Sequence, residues 1–567
     1  MNFEGYPNII LDTRMLSDYE MLHLGAFHPL KGFMTSEEYH SVVDRMRLPD
    51  GKLWPIPIVL PIAEKWIIDN SQNLTYVTLK DIYGTPLAIM KVESIYKPNI
   101  ILECQKVYRA TYREGDQEKI DENHPYAQIL LEYERSGLDY RIGGPLIVHK
   151  DVPHYDFLKL RHRPDELRKL FKDRNIRNVI AFQTRNLLHY SHIHLTKMAL
   201  AEVEKDGTEA HLLIHPVVGV TQDEDLPYTI RVKCYQEILQ EYPPGKVTLS
   251  LLPLSMHMAG PREALLHALV RKNYGATHFI VGRDHAGPSR PNHRGQKFYD
   301  AYEAQKLVEQ YASEIPIIPI FSKSIVFTVK INNDIQNMME PVNGTYKPED
   351  QINSYQEYIH EISGTKLRKM LYDGEEIPAW FSPPGVIKCL RDYYARPKGI
   401  VFYMIGIPAS GKTTMACALQ AHLLETTNRT ISLLDADIIC QNLGFSRLDH
   451  SINVRRIGFV AAEIAKHGGI CIVANIAPYQ EDRIYNRRLI NKYGLYLEIW
   501  VRTSLETCSA RDPKGLYRLA QSGQIKLTGY NDDFETPTPD IIVDGTHDVS
   551  DNINIILKYL TDHQIRI

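Results

Sequence analysis

Residues 406–413 read Gly406-Ile407-Pro408-Ala409-Ser410-Gly411-Lys412-Thr413, the G-x-x-x-x-G-K-[ST] spacing of a phosphate-binding loop. Glycines let backbone N–H groups curl around phosphate oxygens, and the N-terminus of a following helix adds positive potential. Lys412 is placed to reach the β- and γ-phosphates, and the Thr413 hydroxyl to ligate Mg²⁺. Gly406, Ser410, Gly411, Lys412, Thr413 and Thr414 are therefore the expected nucleotide contacts. A chance glycine turn is the competing reading, and the flanks weigh against it. Residues 400–405 form an apolar run that predicts a strand, and residues 414–423 suit a helix. A second apolar run, residues 431–434, delivers Asp435-Ala436-Asp437. A carboxylate at that strand end can hold Mg²⁺ or take a proton from an acceptor hydroxyl. Capping a helix is the structural alternative, and Asp437 suits either purpose.

A second constellation is Gln183-Thr184-Arg185-Asn186-Leu187-Leu188-His189-Tyr190-Ser191-His192, which opens where a predicted strand over residues 178–182 ends. His189 and His192 are three apart and so share a face on the first turn of a helix. Paired imidazoles at a helix N-terminus suit an anionic ligand, and Arg185 offers a planar fork for a tetrahedral oxyanion. Metal binding is the rival use of two histidines, but no Glu follows at zinc-protease spacing. The loop Gly282-Arg283-Asp284-His285-Ala286-Gly287-Pro288 also follows a predicted strand, residues 278–281. It suits nucleotide contact through backbone and cation together, or else a structural turn closed by an Arg–Asp pair. Two polar loops at neighbouring strand ends of one parallel sheet share a crevice, where α/β folds bind ligands.

The elements that must position these residues fall into four segments. Residues 1–160 mix short β-like runs (53–62, 76–79, 86–92) with turns, and residues 151–156 look like a boundary. Residues 161–325 alternate apolar strand candidates (178–182, 210–215, 247–252, 278–281) with helical stretches such as 195–205 and 262–272. That rhythm implies a parallel sheet covered by helices. Residues 326–394 form a smaller piece ending in a helical run, and Arg396-Pro397-Lys398-Gly399 reads as a linker to a second α/β unit over 395–567. At 567 residues the chain exceeds one core, and 44% hydrophobic with 24% charged residues is ordinary globular composition. A net charge of -4 gives no global positive field for nucleic acid. The basic stretch 159–177 is interrupted by Asp165, Glu166 and Asp173 and reads as a solvated helix face. The opening residues lack the basic-then-apolar order of a signal peptide, and the longest apolar runs fall short of a membrane span. Seven scattered cysteines without a CxxC suggest buried thiols in a reducing compartment, so a cytoplasmic protein is expected.

Taken together, these motifs resemble two enzyme families along nearly the whole chain. The first 390 or so residues are similar to ATP sulfurylase (sulfate adenylyltransferase), through residues 16–34, Gln183 to His192, Met258-Ala259-Gly260-Pro261-Arg262-Glu263-Ala264, residues 272–288 and Ile362-Ser363-Gly364-Thr365-Lys366-Leu367-Arg368. The rest resembles APS kinase, through the phosphate loop, Leu434 to Asp437, Gly444-Phe445-Ser446, residues 453–457, 476–479, 511–517 and 528–533. The resemblance implies an α/β multidomain protein. Its parts would be a PUA-like β-rich N-terminal domain (1–160), a Rossmann-like nucleotidyltransferase domain of the HxGH type (161–325), a small α/β linker domain (326–394) and a C-terminal P-loop kinase-like domain (395–567). The implied reaction is ATP plus sulfate giving adenylyl sulfate (APS) and pyrophosphate with Mg²⁺, followed by 3′-phosphorylation of APS to PAPS. By position, Gln183 and Arg185 would hold sulfate with the Ala286 backbone. Thr184, Asn186, His189 and His192 would bind ATP phosphates, and Arg283, Asp284 and His285 would line the nucleotide site. In the second half Asp437 would be the base, with Asn453 and Lys514 on APS. A homo-oligomer is also implied.

The departures are specific. Leu187 stands where the family has Pro, which restores an N–H and frees φ. His257 stands where the first family has Arg, which removes a permanent charge unless His257 is protonated. In the second half, Cys440 and His450 replace arginines and Ala477 replaces a serine, and the loops before Gly444 and Thr528 are shortened. Each lost charge-assisted contact to APS costs about 1.5–3 kcal/mol, or roughly 10–150-fold in affinity. The bifunctional reading therefore has an alternative: a sulfurylase with one activity, possible also in the reverse direction to make ATP, whose C-terminal domain is a nucleotide-binding regulatory or assembly module.

Overall fold

The computed structural model describes the chain except residues 1, 2, 4, 73, 83, 155, 206, 223, 224, 322, 323, 332–334, 343–356, 361, 363, 395–397, 428, 444–449, 513 and 566. Of the motif positions above, Tyr155, Ser363, Arg396, Pro397, Gly444, Phe445, Ser446 and Pro513 lie outside the described residues, as do the side chains of Thr365, Cys440 and His450. The chain forms two compact units, Met1–Tyr393 and Tyr394–Ile567.

The first unit opens with a seven-stranded sheet built on the long strand Tyr140–His149, which pairs with Gly32–Phe33, Leu60–Ile62, Pro86–Lys91 and Ser94–Tyr96. The strand expected over 53–62 is shorter than its apolar run. Trp54, Ile56 and Ile58 are buried, but Pro55 and Pro57 have no N–H to give a ladder, so only Leu60–Ile62 joins the sheet, and Leu53 forms an isolated bridge with Arg47.

Beyond it lies a five-stranded parallel sheet: β1 (Asn178–Phe182), β2 (Ala210–Ile214), β3 (Val247–Leu249), β4 (His278–Val281) and β5 (Ile318–Phe321), ordered β3-β2-β1-β4-β5. β2 and β4 are buried along their whole length, which is why they read as continuous apolar runs. The run expected over 247–252 leaves the sheet after Leu249, and Leu252 forms an isolated bridge with Val217. Helix α1 (Tyr190–Glu204) follows β1, and α2 (Pro261–Asn273) precedes β4. The chain steps outward from β1 to β3, then crosses back to place β4 on the other side of β1, with Ile180 paired to His278. That reversal opens a crevice beyond the carboxyl ends of β1 and β4. One hydrophobic core runs from Ile9 to Ile317 through Phe27, Trp54, Leu265 and Phe279, so the two sheets share it. Polar ties support the junction: Asn273 Nδ2 donates to the Ala26 and His28 carbonyls at 3.0 and 2.9 Å. A three-stranded antiparallel sheet (Ser324–Ile331, Ile335–Val342, Glu357–His360) and two helices, Gly364–Asp373 and Pro384–Tyr394, complete this part of the chain.

The second unit is another parallel sheet: β6 (Gly399–Ile405), β7 (Ile431–Asp435), β8 (Ile470–Ala474), β9 (Gly494–Arg502) and β10 (Ile541–Asp544), ordered β7-β8-β6-β9-β10. All seven residues of β6 are buried. Helices α3 (Lys412–Thr426), α4 (Ala436–Leu443) and α5 (His450–Lys466) follow in turn. β6 approaches α5 so closely that a Cβ on Gly399 would overlap the Ala465 backbone. Gly399→Ala is expected to destabilise this unit by about 1–3 kcal/mol through overpacking. Calorimetry would show it as a lowered transition temperature; an unchanged melt would mean that the contact relaxes freely.

Candidate active sites

The loops after β1 and β4 enclose a cavity of about 270 Å³, lined on one wall by Gln183, Thr184, Arg185, Asn186 and His192. Arg283, Asp284, His285 and Ala286 form the facing wall. The first loop is rigid because its own groups fold it: Thr184 Oγ1 donates to the Asn186 carbonyl at 2.9 Å and accepts the Asn186 N–H at 3.1 Å. Tyr235 adds a hydrogen bond from its hydroxyl to the same carbonyl at 2.7 Å. The second loop turns through positive φ at Asp284 (53°) and Ala286 (56°). Arg283 and Asp284 do pair, at 3.3 Å, and Lys297 also donates to Asp284 at 3.0 Å. The turn-closing pair and the cavity wall are thus the same residues.

Arg185 is the buried cation of this cavity, facing the more exposed Arg283. Its Nη1 donates to Asp225 Oδ1 at 2.6 Å and its Nη2 to the Gly287 carbonyl at 3.4 Å, with both charged side chains largely buried. Asp225 therefore orients the guanidinium and balances its charge where water is scarce. Sequence reasoning passed over Asp225 and Tyr235; the acidic run 223–225 after an apolar strand and loop was the available signal. Gln183 Oε1 and Asp225 Oδ2 are buried without a hydrogen bond among the described residues, a cost that a polar ligand would relieve.

The two histidines divide. His189 caps α1 rather than standing on its first turn, so the shared helical face expected from the three-residue spacing is replaced by ring contact. It packs between His192 and Phe381, with ring centroids 4.4 and 4.6 Å apart, and its Nδ1 meets Ser191 Oγ at 3.1 Å. His192 reaches the cavity, and its buried Nδ1 lacks a partner among the described residues. Burial holds His192 down at about 4 and His189 well below the ordinary imidazole range. Both are neutral at pH 7, so they offer hydrogen bonds and not charge. His257 is neutral too. It is fully buried against Tyr126, and burial pushes it down to about 3, so the charge that an arginine would bring is absent at that position.

In the second unit the phosphate loop joins β6 to α3, with Gly411 at φ 105° as the N-cap. Glycine is required elsewhere too: a Cβ on Gly545 would overlap the Ser410 carbonyl, so the loop seats on backbone. Thr503 Oγ1 donates to that carbonyl at 2.8 Å, and Tyr517 donates to the Pro408 carbonyl at 2.9 Å. Ser410 Oγ is buried and lacks a partner among the described residues. Lys412 Nζ donates to the Gly406 and Ile407 carbonyls at 2.9 Å each, arching back over the loop. Thr413 Oγ1 donates to Asp435 Oδ2 at 2.7 Å, while Asp435 Oδ1 accepts the Asp437 N–H at 3.0 Å. The capping role that the sequence left open to Asp437 falls to Asp435, because α4 begins at Ala436. Asp437 is then available for other work and pairs with Lys514. Asn453 is buried on α5, and Thr414 stands exposed on α3.

Comparison with known proteins extends along the chain. Residues 158–393 match the family model of ATP-sulfurylase, residues 398–544 that of adenylylsulphate kinase, and residues 2–151 that of a PUA-like domain. A sulfate adenylyltransferase of Chaetomium globosum is 40% identical over 552 residues, spanning 96% of this chain and 91% of its own length. One from Neurospora crassa is 39% identical over 551 residues, spanning 95% and 91%. Among solved structures, a hexameric APS kinase from Thiobacillus denitrificans superposes with a TM-score of 0.67 at 27% identity, covering 99% of this chain and 94% of the other.

Burial lowers the Lys412 ammonium to about 8, with the nearby carboxylates opposing the shift. Its charge is present below that pH and lost above it. Nucleoside triphosphate binding at this loop should therefore weaken by up to about tenfold from pH 7 to 9. The binding component that disappears in Lys412→Ala, read with a fluorescent nucleotide, measures this site alone. Lys412→Arg should flatten the profile, and a flat profile in the unaltered chain would show that the lysine stays charged.

Proposed function

We propose, from the premise that this chain belongs to the sulfate adenylyltransferase family, that its first unit joins sulfate to the α-phosphate of ATP, giving APS and pyrophosphate, and that its second unit phosphorylates APS to PAPS. The observation that carries the first step is the cavity at the sheet reversal, where the buried Arg185 stands beside Gln183, Thr184, Asn186 and the neutral His192, facing the Arg283–Asp284 pair. Gln183, Arg185 and the Ala286 backbone hold sulfate. Thr184, Asn186, His189 and His192 support the triphosphate, and Arg283, Asp284 and His285 receive the nucleoside. A sulfate oxygen forms the new bond to the α-phosphorus as the bond to pyrophosphate breaks, without a covalent enzyme intermediate. The enzyme contributes positioning and fixed dipoles. Neutral histidines suit this task, since they donate to phosphate oxygens without trapping the departing pyrophosphate by charge.

For the second step, Lys412 and the loop N–H groups receive the ATP phosphates. The paired hydroxyl and carboxylate of Thr413 and Asp435 form an oxygen donor set that suits Mg²⁺, which would offset phosphate charge. Asn453 and Lys514 face APS, and Asp437, beside Lys514, takes the proton of the 3′-hydroxyl. A cytoplasmic setting is supported by the described cysteines, which are all free thiols. No helix among the described residues is long and apolar enough to cross a membrane. The hexameric structural neighbour supports a homo-oligomer.

Two variants separate the steps. Arg185→Ala should lower sulfate-dependent pyrophosphate release by about 100-fold or more while supplied APS is still phosphorylated. Lys412→Ala should do the reverse. Retained turnover in Arg185→Ala would move the sulfate site elsewhere. An unaltered chain that makes no PAPS from saturating APS would make the second unit a nucleotide-binding module.

A further inference from the structure

Behind the wall of the cavity that carries His285, helix α2 presents Glu263 and His267 one turn apart, both fully buried. Glu263 accepts the backbone N–H groups of His257 and Ala259 at 2.9 Å each, and its Oε1 lies 3.4 Å from His267 Nε2, an approach that makes no hydrogen bond. His267 Nδ1 lies 3.0 Å from His285 Nε2. Burial drives both imidazoles well below their ordinary range, and the Arg271 guanidinium further along α2 also opposes protonation. Each ring therefore carries one proton.

The order of partners then fixes where each proton sits. A carboxylate oxygen this close attracts an N–H and repels a lone pair even without a hydrogen bond, and that bias places the proton of His267 on Nε2. Its Nδ1 is left as an acceptor, and His285 must donate from Nε2. The ring nitrogen of His285 that remains for a ligand is Nδ1, which carries a lone pair. Sulfate and triphosphate oxygens at pH 7 also present lone pairs and cannot bond to it. The adenine amino group and the ribose hydroxyls can, because they donate.

We infer that Glu263 and His267 are positioning residues that fix His285 as a hydrogen-bond acceptor, so that this wall of the cavity selects a nucleoside donor of ATP rather than an oxyanion. The inference rests on the cavity being the ATP site. It assigns a purpose to two buried polar side chains that touch no substrate.

His267→Leu removes the internal acceptor and should raise KM for ATP by about three- to tenfold, the effect of one hydrogen bond, with KM for sulfate unchanged. His267→Asn, whose Oδ1 stands near the lost Nδ1, should restore KM for ATP. Ring ¹⁵N NMR of histidine-labelled protein reads the relay directly. The signals lost in His285→Asn should show a protonated Nε2 in the unaltered chain, and mixed tautomers in His267→Leu. A protonated Nδ1 on His285, an unchanged KM for ATP in His267→Leu, or equal loss in the Leu and Asn variants would overturn the inference. The NMR arm stands without turnover, so a failed relay is distinguishable from a misassigned cavity.

Discussion

Both parallel sheets reverse direction at their first strand, and that topological constraint decides where ligands can bind. Backbone N–H groups and flexible loops gather at the carboxyl ends beside such a reversal, because the connections leave to opposite sides and open a crevice. In the first unit the reversal lies between β1 and β4, and the loops that follow those two strands enclose the cavity. In the second unit it lies at β6, which the phosphate loop follows. A reversal at the first strand, reached by different strand orders, thus supports two different chemistries: attack at an α-phosphorus in one unit, and transfer of a terminal phosphoryl group in the other.

Each crevice holds its key cation against an internal partner. Arg185 rests on Asp225, and Lys412 arches over the Gly406 and Ile407 carbonyls. A buried cation without a counter-group is costly, so some such partner is required before the anion arrives. The partners differ in kind. A carboxylate fixes the direction of a planar guanidinium, whereas carbonyl oxygens cradle an ammonium that can swing toward phosphate. Around Arg185 the histidines are neutral by burial, so the charge of the site comes from Arg185 with Asp225 and from the more exposed Arg283–Asp284 pair.

Legibility in the sequence followed the range of each interaction. β1 and β4 coincide with their apolar runs because buried parallel strands demand continuous apolar residues. The phosphate loop was readable because its spacing encodes local backbone geometry. Asp225 was not, since its partner lies forty residues earlier and meets it only across the folded loop. The neutrality of His257 was equally hidden, because burial cannot be read from residue type. Asp437 and Asp435 exchanged duties for a local reason: α4 starts one residue after β7 ends, so the first carboxylate caps and the second points outward to Lys514. Glu263 sat inside a recognised motif and His267 in the helix expected over 262–272, yet only their geometry assigned them a purpose.

One chain is proposed to carry sulfate through two successive activations. The most direct test is to incubate the full chain with ATP, Mg²⁺, inorganic pyrophosphatase and radiolabelled sulfate, and to follow the label over time. Label should enter APS first and then PAPS. Label that stays in sulfate would contradict the assignment of the first cavity, and label that stops at APS would contradict a kinase in the second unit.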